Sequence, residues 1–274
     1  MNTAVAFWSV LTEIANEVND PAPAIASSAG CDSNALLLAL VETGHHPTII
    51  TFTLDDRQSR DSLAARENAR RLGLDFELVT LPSDPLDLGA LARATVVDGV
   101  QGKANIEVLT PMRAMIRKAA DTGHSTFLTG IQADCHFGVT KKEIIRYRHS
   151  SVEEFDAYRR DYFATKAARQ SAWIVEYAAR IGVDARIPYI DQRVCNVFLG
   201  HSWDDLNKPR QKEAIRLYPG LENLDVDKVR SNLQLGDSGV ASTLARLVDY
   251  PHINVDQRQT VTSIYNRWVR EVAS

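Results

Sequence analysis

The sequence predicts an α/β protein, a parallel sheet flanked by helices that gives way to a mainly helical C-terminal half. Three observations carry this reading. From residue 21 onward, short apolar runs alternate with helical stretches, the form taken by repeated βα units. Beyond residue 152 strand patterns become scarce and helical spacing dominates. The 274 residues, 45% hydrophobic and 24% charged, suit one large domain with a well-buried interior and exclude a disordered, collagenous or membrane-spanning chain.

The elements follow in order. Phe7, Leu11, Ile14 and Val18 recur at helical spacing and describe one face of an N-terminal helix, with Glu13 and Glu17 turned outward. Residues 23–27 read as a short strand, 32–42 as a helix, 48–54 (TIITFTL) as a β-branched strand, and 61–72 as a helix that Gly73 terminates. The next strand is 76–81. A less regular stretch holds Gly89, Gly99 and Gly102; a helix then follows Pro111 and stops near Gly123, and a strand at 125–128 enters a turn at Thr129-Gly130. Helical patterns over 152–181, 192–199, 209–217 and 261–272 complete the chain, and 231–242 (SNLQLGDSGVAS) reads as a loop.

The charge balance, 31 Lys+Arg against 35 Asp+Glu for a net −4 and a pI near 6.0, offers no overall field for nucleic acid and points to a small substrate. Cys31, Cys135 and Cys195 are odd in number and form no CxxC pair, so neither a disulfide framework nor a zinc site is expected. The longest apolar stretch, 35–41, is too short to span a membrane. No targeting segment is recognised, and the expected setting is cytoplasmic.

The first strand runs through Ser27, Ser28, Ala29, Gly30, Cys31, Asp32 and Ser33 straight into the next helix. Small residues let backbone N–H groups approach an anion, and the helix N-terminus adds partial positive charge. The loop has neither the Walker form nor the GxGxxG fingerprint, and it holds no lysine. A carboxylate at the rim of a phosphate cradle makes chemical sense as a Mg2+ ligand, which is the role expected of Asp32.

SAGCDS resembles the SGGxDS pyrophosphate loop of the N-type ATP pyrophosphatases, with Ala29 in place of the first glycine. Residues 129–138 (TGIQADCHFG) resemble the SGEGADELFGG segment of asparagine synthetase synthetase domains, 184–191 (DARIPYID) resemble LEVRVPFLD, and 208–214 (KPRQKEA) resemble KxxLREA. All four occur in family order. The resemblance implies an HUP-like fold in one domain over 1–274: an N-terminal helix at 1–20, an ATP-pyrophosphatase core at 21–150 and a mainly helical part at 151–274. It also implies ATP and Mg2+ as cofactors. Ser28, Ala29, Gly30, Cys31, Asp32 and Ser33 would hold the phosphates, the backbone at Thr53 and Leu54 would lie beside adenine, Gly130 would pack on ribose, and Asp32 and Asp134 would bind Mg2+. Arg186 and Asp191 are expected to form an internal ion pair, and Lys212 and Arg216 an i,i+4 pair on a solvated helix face.

The implied chemistry is attack of a substrate carboxylate on the α-phosphorus of ATP, releasing pyrophosphate, followed by transfer of the acyl group to ammonia or an amine. No counterpart of the glutaminase domain of asparagine synthetases is expected, so nitrogen is expected from free ammonia, an amine, or a separate glutaminase or biosynthetic partner. At the reaction centre the family's first glutamate is Ile131 and its last acidic residue is Cys135, which argues against aspartate as substrate and for specialised metabolism. The family's lysine aligns with Asn232. Arg230 is assigned the catalytic cation, with Lys141, Lys142 and Lys103 as further replacements. Neither Cys135 nor His136 is expected to be catalytic, because adjacent side chains in a turn diverge. Two other readings remain: a non-catalytic or partner-dependent ATP-binding subunit, motivated by Ile131 and Asn232, and a nucleobase-adenylating tRNA-modifying enzyme, which the balanced charge disfavours.

Overall fold

The computed structural model describes residues 3–139, 141–165, 168–224, 238–250 and 259–274. Five strands, β1 (Ala24–Ala26), β2 (Thr48–Leu54), β3 (Phe76–Leu81), β4 (Thr126–Thr129) and β5 (Asp184–Arg186), form one parallel sheet in the order β3-β2-β1-β4-β5. The chain builds outward from β1 in one direction and then, from β4, in the other. The order therefore reverses between β1 and β4, and in open parallel sheets the crevice beyond the carboxyl ends of such a pair is where ligands bind.

Helices α1 (Thr3–Asn16), α2 (Cys31–Glu42) and α3 (Arg60–Leu72) cover one face of the sheet; α4 (Pro85–Val97) and α5 (Lys103–Asp121) cover the other. The strands read as near-continuous apolar runs because both faces are buried. Ile25 and Ile49 point into the layer holding Phe7, Leu11 and Leu36, whereas Ala24, Ile50 and Phe52 point into the layer holding Ile106, Met112 and Ile116. The predicted N-terminal helix is present, with Phe7, Leu11 and Ile14 buried. Gly73 ends α3 in the left-handed conformation (φ 65°), where a side chain would be strained.

After β4 come α6 (Ala133–Phe137), α7 (Lys141–Tyr147), α8 (Val152–Thr165) and α9 (Ala168–Arg180); β5 is followed by α10 (Gln192–Leu199), α11 (Trp203–Asn207), α12 (Glu213–Arg216), α13 (Val240–Ala245) and α14 (Val261–Ala273). Helices α9, α13 and α14 pack with α4 and α5, while α10 and α12 pack with α1 and α2, so the later part of the chain thickens both layers.

Four expectations are corrected. The helix near Pro111 begins eight residues earlier, at Lys103, with Pro111 inside it. Ile106, Leu109, Met112, Met115, Ile116 and Ala119 form a continuous buried face, and this packing outweighs the break that an interior proline favours. Thr110 donates its hydroxyl to the Ile106 carbonyl in the same turn. The sheet does not end with the first half of the chain, because β5 pairs with β4 (Thr126↔Asp184). Three residues with charged ends carry no strand signature of their own. Residues 240–242 begin α13 rather than continuing a loop, and 225–237 lie outside the described residues. Arg186 pairs with Asp184 at 2.8 Å, and Asp191 pairs with Arg193 at 2.9 Å while capping α10, so Arg186 and Asp191 do not form the expected pair.

Candidate active site

The crevice at the strand reversal is lined by the loop after β1 and the loop after β4. Ser27, buried at the end of β1, accepts the Ala29 N–H at 3.0 Å and donates to Ser33 Oγ at 3.3 Å. Ser33 donates to the Gly30 carbonyl at 3.1 Å, and Asn34 Nδ2 donates to the Ala29 carbonyl at 3.1 Å. These bonds hold Ala29 at φ 54°, a left-handed conformation uncommon for a side-chain-bearing residue and a mark of local strain. The Ser33 hydroxyl, expected to face phosphate, is engaged inside the loop.

Gly30 differs from the nine described glycines that stand at positive φ. Its φ of −72° is open to any residue, and an added Cβ would meet only Ser28 Oγ, at 3.4 Å. Backbone geometry therefore does not require glycine here; the absent side chain leaves open space in front of the α2 N-terminus, where no side-chain cap forms among the described residues. Uncapped first-turn N–H groups and the positive end of the helix dipole together form an anion cradle.

Gly130 shows the opposite logic. A Cβ there would lie 3.2 Å from the Ser33 backbone nitrogen and 3.3 Å from the Asp32 carbonyl carbon, so glycine lets the β4 loop pack directly on α2. Thr53 and Leu54 lie at the carboxyl end of β2, both buried, with Thr53 Oγ1 donating to the Arg57 carbonyl at 2.8 Å.

Beyond Gly130, Ile131 packs into the apolar layer. Gln132 stands at φ 79° as the N-cap of α6, and its side-chain amide donates to Gln170 Oε1, whose own amide donates to Asn105 Oδ1. The five-residue α6 then presents Asp134. Lys212 Nζ lies 2.5 Å from Asp32 Oδ2 and 2.5 Å from Asp134 Oδ1, so the two carboxylates named from sequence converge on one ammonium.

Lys212 corrects the sequence reading most. It precedes the short α12 at φ 61° and is 13% exposed, so it belongs to no i,i+4 solvated pair with Arg216. Its N–H donates to Asn207 Oδ1 at 3.0 Å, and Asn207, buried, donates to the Phe137 carbonyl at 2.9 Å. The end of α6 and the start of α12 are thereby tied together. Burial works against the lysine charge, but the Asp32 and Asp134 carboxylates outweigh it and hold the ammonium well above its ordinary range.

The replacement cations named from sequence fare differently. Lys103 pairs with buried Glu107 at 2.8 Å, and Lys142 is exposed. Arg230, Asn232 and the Lys141 side chain lie outside the described residues. Burial pushes the thiols of Cys31 and Cys135 up to about 12, the reverse of an activated nucleophile. His136 turns away from Cys135: its Nε2 faces Cys195 Sγ at 3.9 Å, and burial, the largest effect, lowers its pKa to about 3.

Among the described residues no group of three or more His, Cys, Asp or Glu side chains converges on a metal position, and no helix is long and apolar enough to cross a membrane. Two carboxylates facing a phosphate cradle still fit Mg2+, which takes one or two protein carboxylates and completes its shell with phosphate oxygens and water.

A parallel sheet, a glycine-opened helix N-terminus and paired carboxylates at the strand reversal give this α/β protein an anion-binding crevice of the kind that nucleotide-using enzymes carry. The sequence model of the asparagine synthase family matches residues 27–180, more than half of the chain, and the chain belongs to that family. Two solved structures are similar to it at low identity. The U34-tRNA thiolase NcsA from Methanococcus maripaludis is 14% identical, with 99% of this chain and 78% of that one covered at a TM-score of 0.45. The NMN synthetase from Francisella tularensis is 11% identical, with 84% and 97% covered at 0.37. No curated protein matches the sequence.

Proposed function

We propose that the protein is an ATP-dependent, amide-forming ligase that activates a small carboxylate as its AMP ester, releases pyrophosphate, and transfers the acyl group to ammonia or an amine. The observation that carries this reading is the convergence of Asp32, Asp134 and Lys212 beside the uncapped N-terminus of α2. In this reading the N–H groups around Gly30 hold the departing phosphates, Gly130 borders the ribose, and the ends of β2 at Thr53 and Leu54 border adenine. Asp32 and Asp134 hold Mg2+, which when bound neutralises phosphate charge. Lys212 adds a positive charge where negative charge develops on the phosphates, the role the sequence reading gave to Arg230. Ile131 replaces a carboxylate with an apolar side chain, which favours a substrate other than aspartate. The nitrogen donor is ammonia, an amine, or the product of a separate glutaminase, and the reaction belongs to a cytoplasmic specialised pathway.

Pyrophosphate release from ATP and Mg2+ across a panel of carboxylic acids and amines, with the protein alone and with co-encoded partners, tests the proposal. Turnover that requires one carboxylate and yields AMP is expected. Background release across the panel, with ATP binding intact by calorimetry, would instead assign a non-catalytic ATP-binding subunit.

A further inference from the structure

The ammonium of Lys212 stands between the same two carboxylates that a divalent metal would share. Asp32 and Asp134 come from different elements, α2 and α6, and the Lys212 ammonium between them offsets the repulsion of their like charges. Lys212 is held to the task from behind: its backbone sits at φ 61°, its N–H is fixed by Asn207, and its side chain is 13% exposed against 55% for Asp134. An ammonium and a metal ion cannot occupy this position together, because each repels the other and both need the same oxygens. A triphosphate changes the balance, since its oxygens supply further metal ligands and enough negative charge to draw the ammonium off the carboxylates.

We propose that Lys212 is a resident counter-cation that keeps divalent metal out of the Asp32–Asp134 position until nucleotide arrives, so that metal enters only as the metal–nucleotide complex. The inference rests on the reading of this crevice as a metal–ATP site. It gives Lys212 two stations, carboxylate in the free protein and phosphate in the loaded one. It also offsets the repulsion between the half-buried Asp32 carboxylate and the exposed Asp134 carboxylate when no ligand is present.

The test uses Mn2+ alone, without nucleotide, followed by calorimetry and by the electron paramagnetic resonance of free Mn2+. Wild type is expected to bind Mn2+ weakly, and Lys212→Met at least about tenfold more tightly, with the gain lost in Lys212→Met/Asp32→Asn. Equal Mn2+ affinity in wild type and Lys212→Met, tight or absent, would overturn the proposal. Where Lys212→Met is too unstable to titrate, thermal melting keeps the question open to decision: Mn2+ should raise its midpoint and leave wild type unmoved, whereas an equal response in both overturns the idea. A parallel titration of wild type with ATP, with and without Mg2+, separates the two readings. Loss of ATP binding there would sink the ligase proposal, while the Mn2+ arm judges Lys212 on its own.

Discussion

Tyr189 donates its hydroxyl to the backbone carbonyl of Asp32 at 3.0 Å, across 157 residues of sequence. The tyrosine is fully buried in the turn that follows β5, with its ring 6.1 Å from that of Phe7. A segment from the far side of the chain therefore fixes the first turn of α2, the turn that aims both the anion cradle and the Asp32 side chain. Tyr189→Phe keeps the ring packing and removes this hydroxyl donor from the carbonyl. We expect a loss of about 1 kcal/mol of unfolding free energy in urea. Unchanged stability would mean that this bond does not form in solution.

Gly30→Ala separates binding from folding. The φ of −72° suits alanine, and the new methyl meets only Ser28 Oγ, so stability should change by no more than about 0.5 kcal/mol, as relief of chain entropy offsets a slightly poorer helix cap. The same methyl would stand in the open front of the cradle and hold phosphate off the N–H groups, weakening ATP binding by roughly tenfold. Calorimetry and thermal melting on one preparation decide the matter. Intact affinity would remove Gly30 from the binding loop.

Gly130→Ala should reverse that pattern. Its Cβ would press on the backbone of Ser33 at 3.2 Å and of Asp32 at 3.3 Å, atoms that cannot rotate aside. The β4 loop must then separate from α2, at an expected cost of about 1–3 kcal/mol measured by denaturant unfolding. A variant as stable as wild type would show that the two loops do not pack this closely.

Much of the frame was legible because its signals are local. The β-branched run of β2, the Gly73 stop after α3 and the small residues between β1 and α2 each act within a few residues of themselves. Asp32 and Asp134 were legible as a pair because each sits in a motif of fixed form. What escaped the sequence was set by distant packing. The first half of α5 exists because its apolar face is buried, despite Pro111. Strand β5 exists because β4 offers it an edge. Lys212 gave no local sign of its place: the spacing to Arg216 suggested a surface helix, while the observed left-handed turn at Lys212, tied to Asn207, swings the side chain inward. A cation is recognisable from sequence by type, but its partners depend on the chain path between them.

Asp20 should carry part of the acid stability of the sheet. Its carboxylate accepts from Ser125 Oγ at 2.6 Å, from the Thr126 N–H at 3.1 Å and from the Ala22 N–H at 3.0 Å, joining the approach to β1 with the start of β4. Partial burial works to raise its pKa, but these hydrogen bonds, led by that from Ser125, outweigh it and leave the group below its ordinary value. A carboxyl whose folded pKa is depressed contributes stability above its unfolded pKa, about 3.9, and that contribution disappears as the pH falls through the folded value. Asp20→Ala should therefore cost about 2 kcal/mol at pH 7. The gap between variant and wild type should then narrow steadily below about pH 4, as wild type loses the bonds to the ionised group. Urea unfolding of both proteins between neutral pH and pH 3 measures the two slopes. A gap that stays constant over that range would show that Asp20 is not held ionised by its three donors, and that the tie between β1 and β4 owes nothing to its charge.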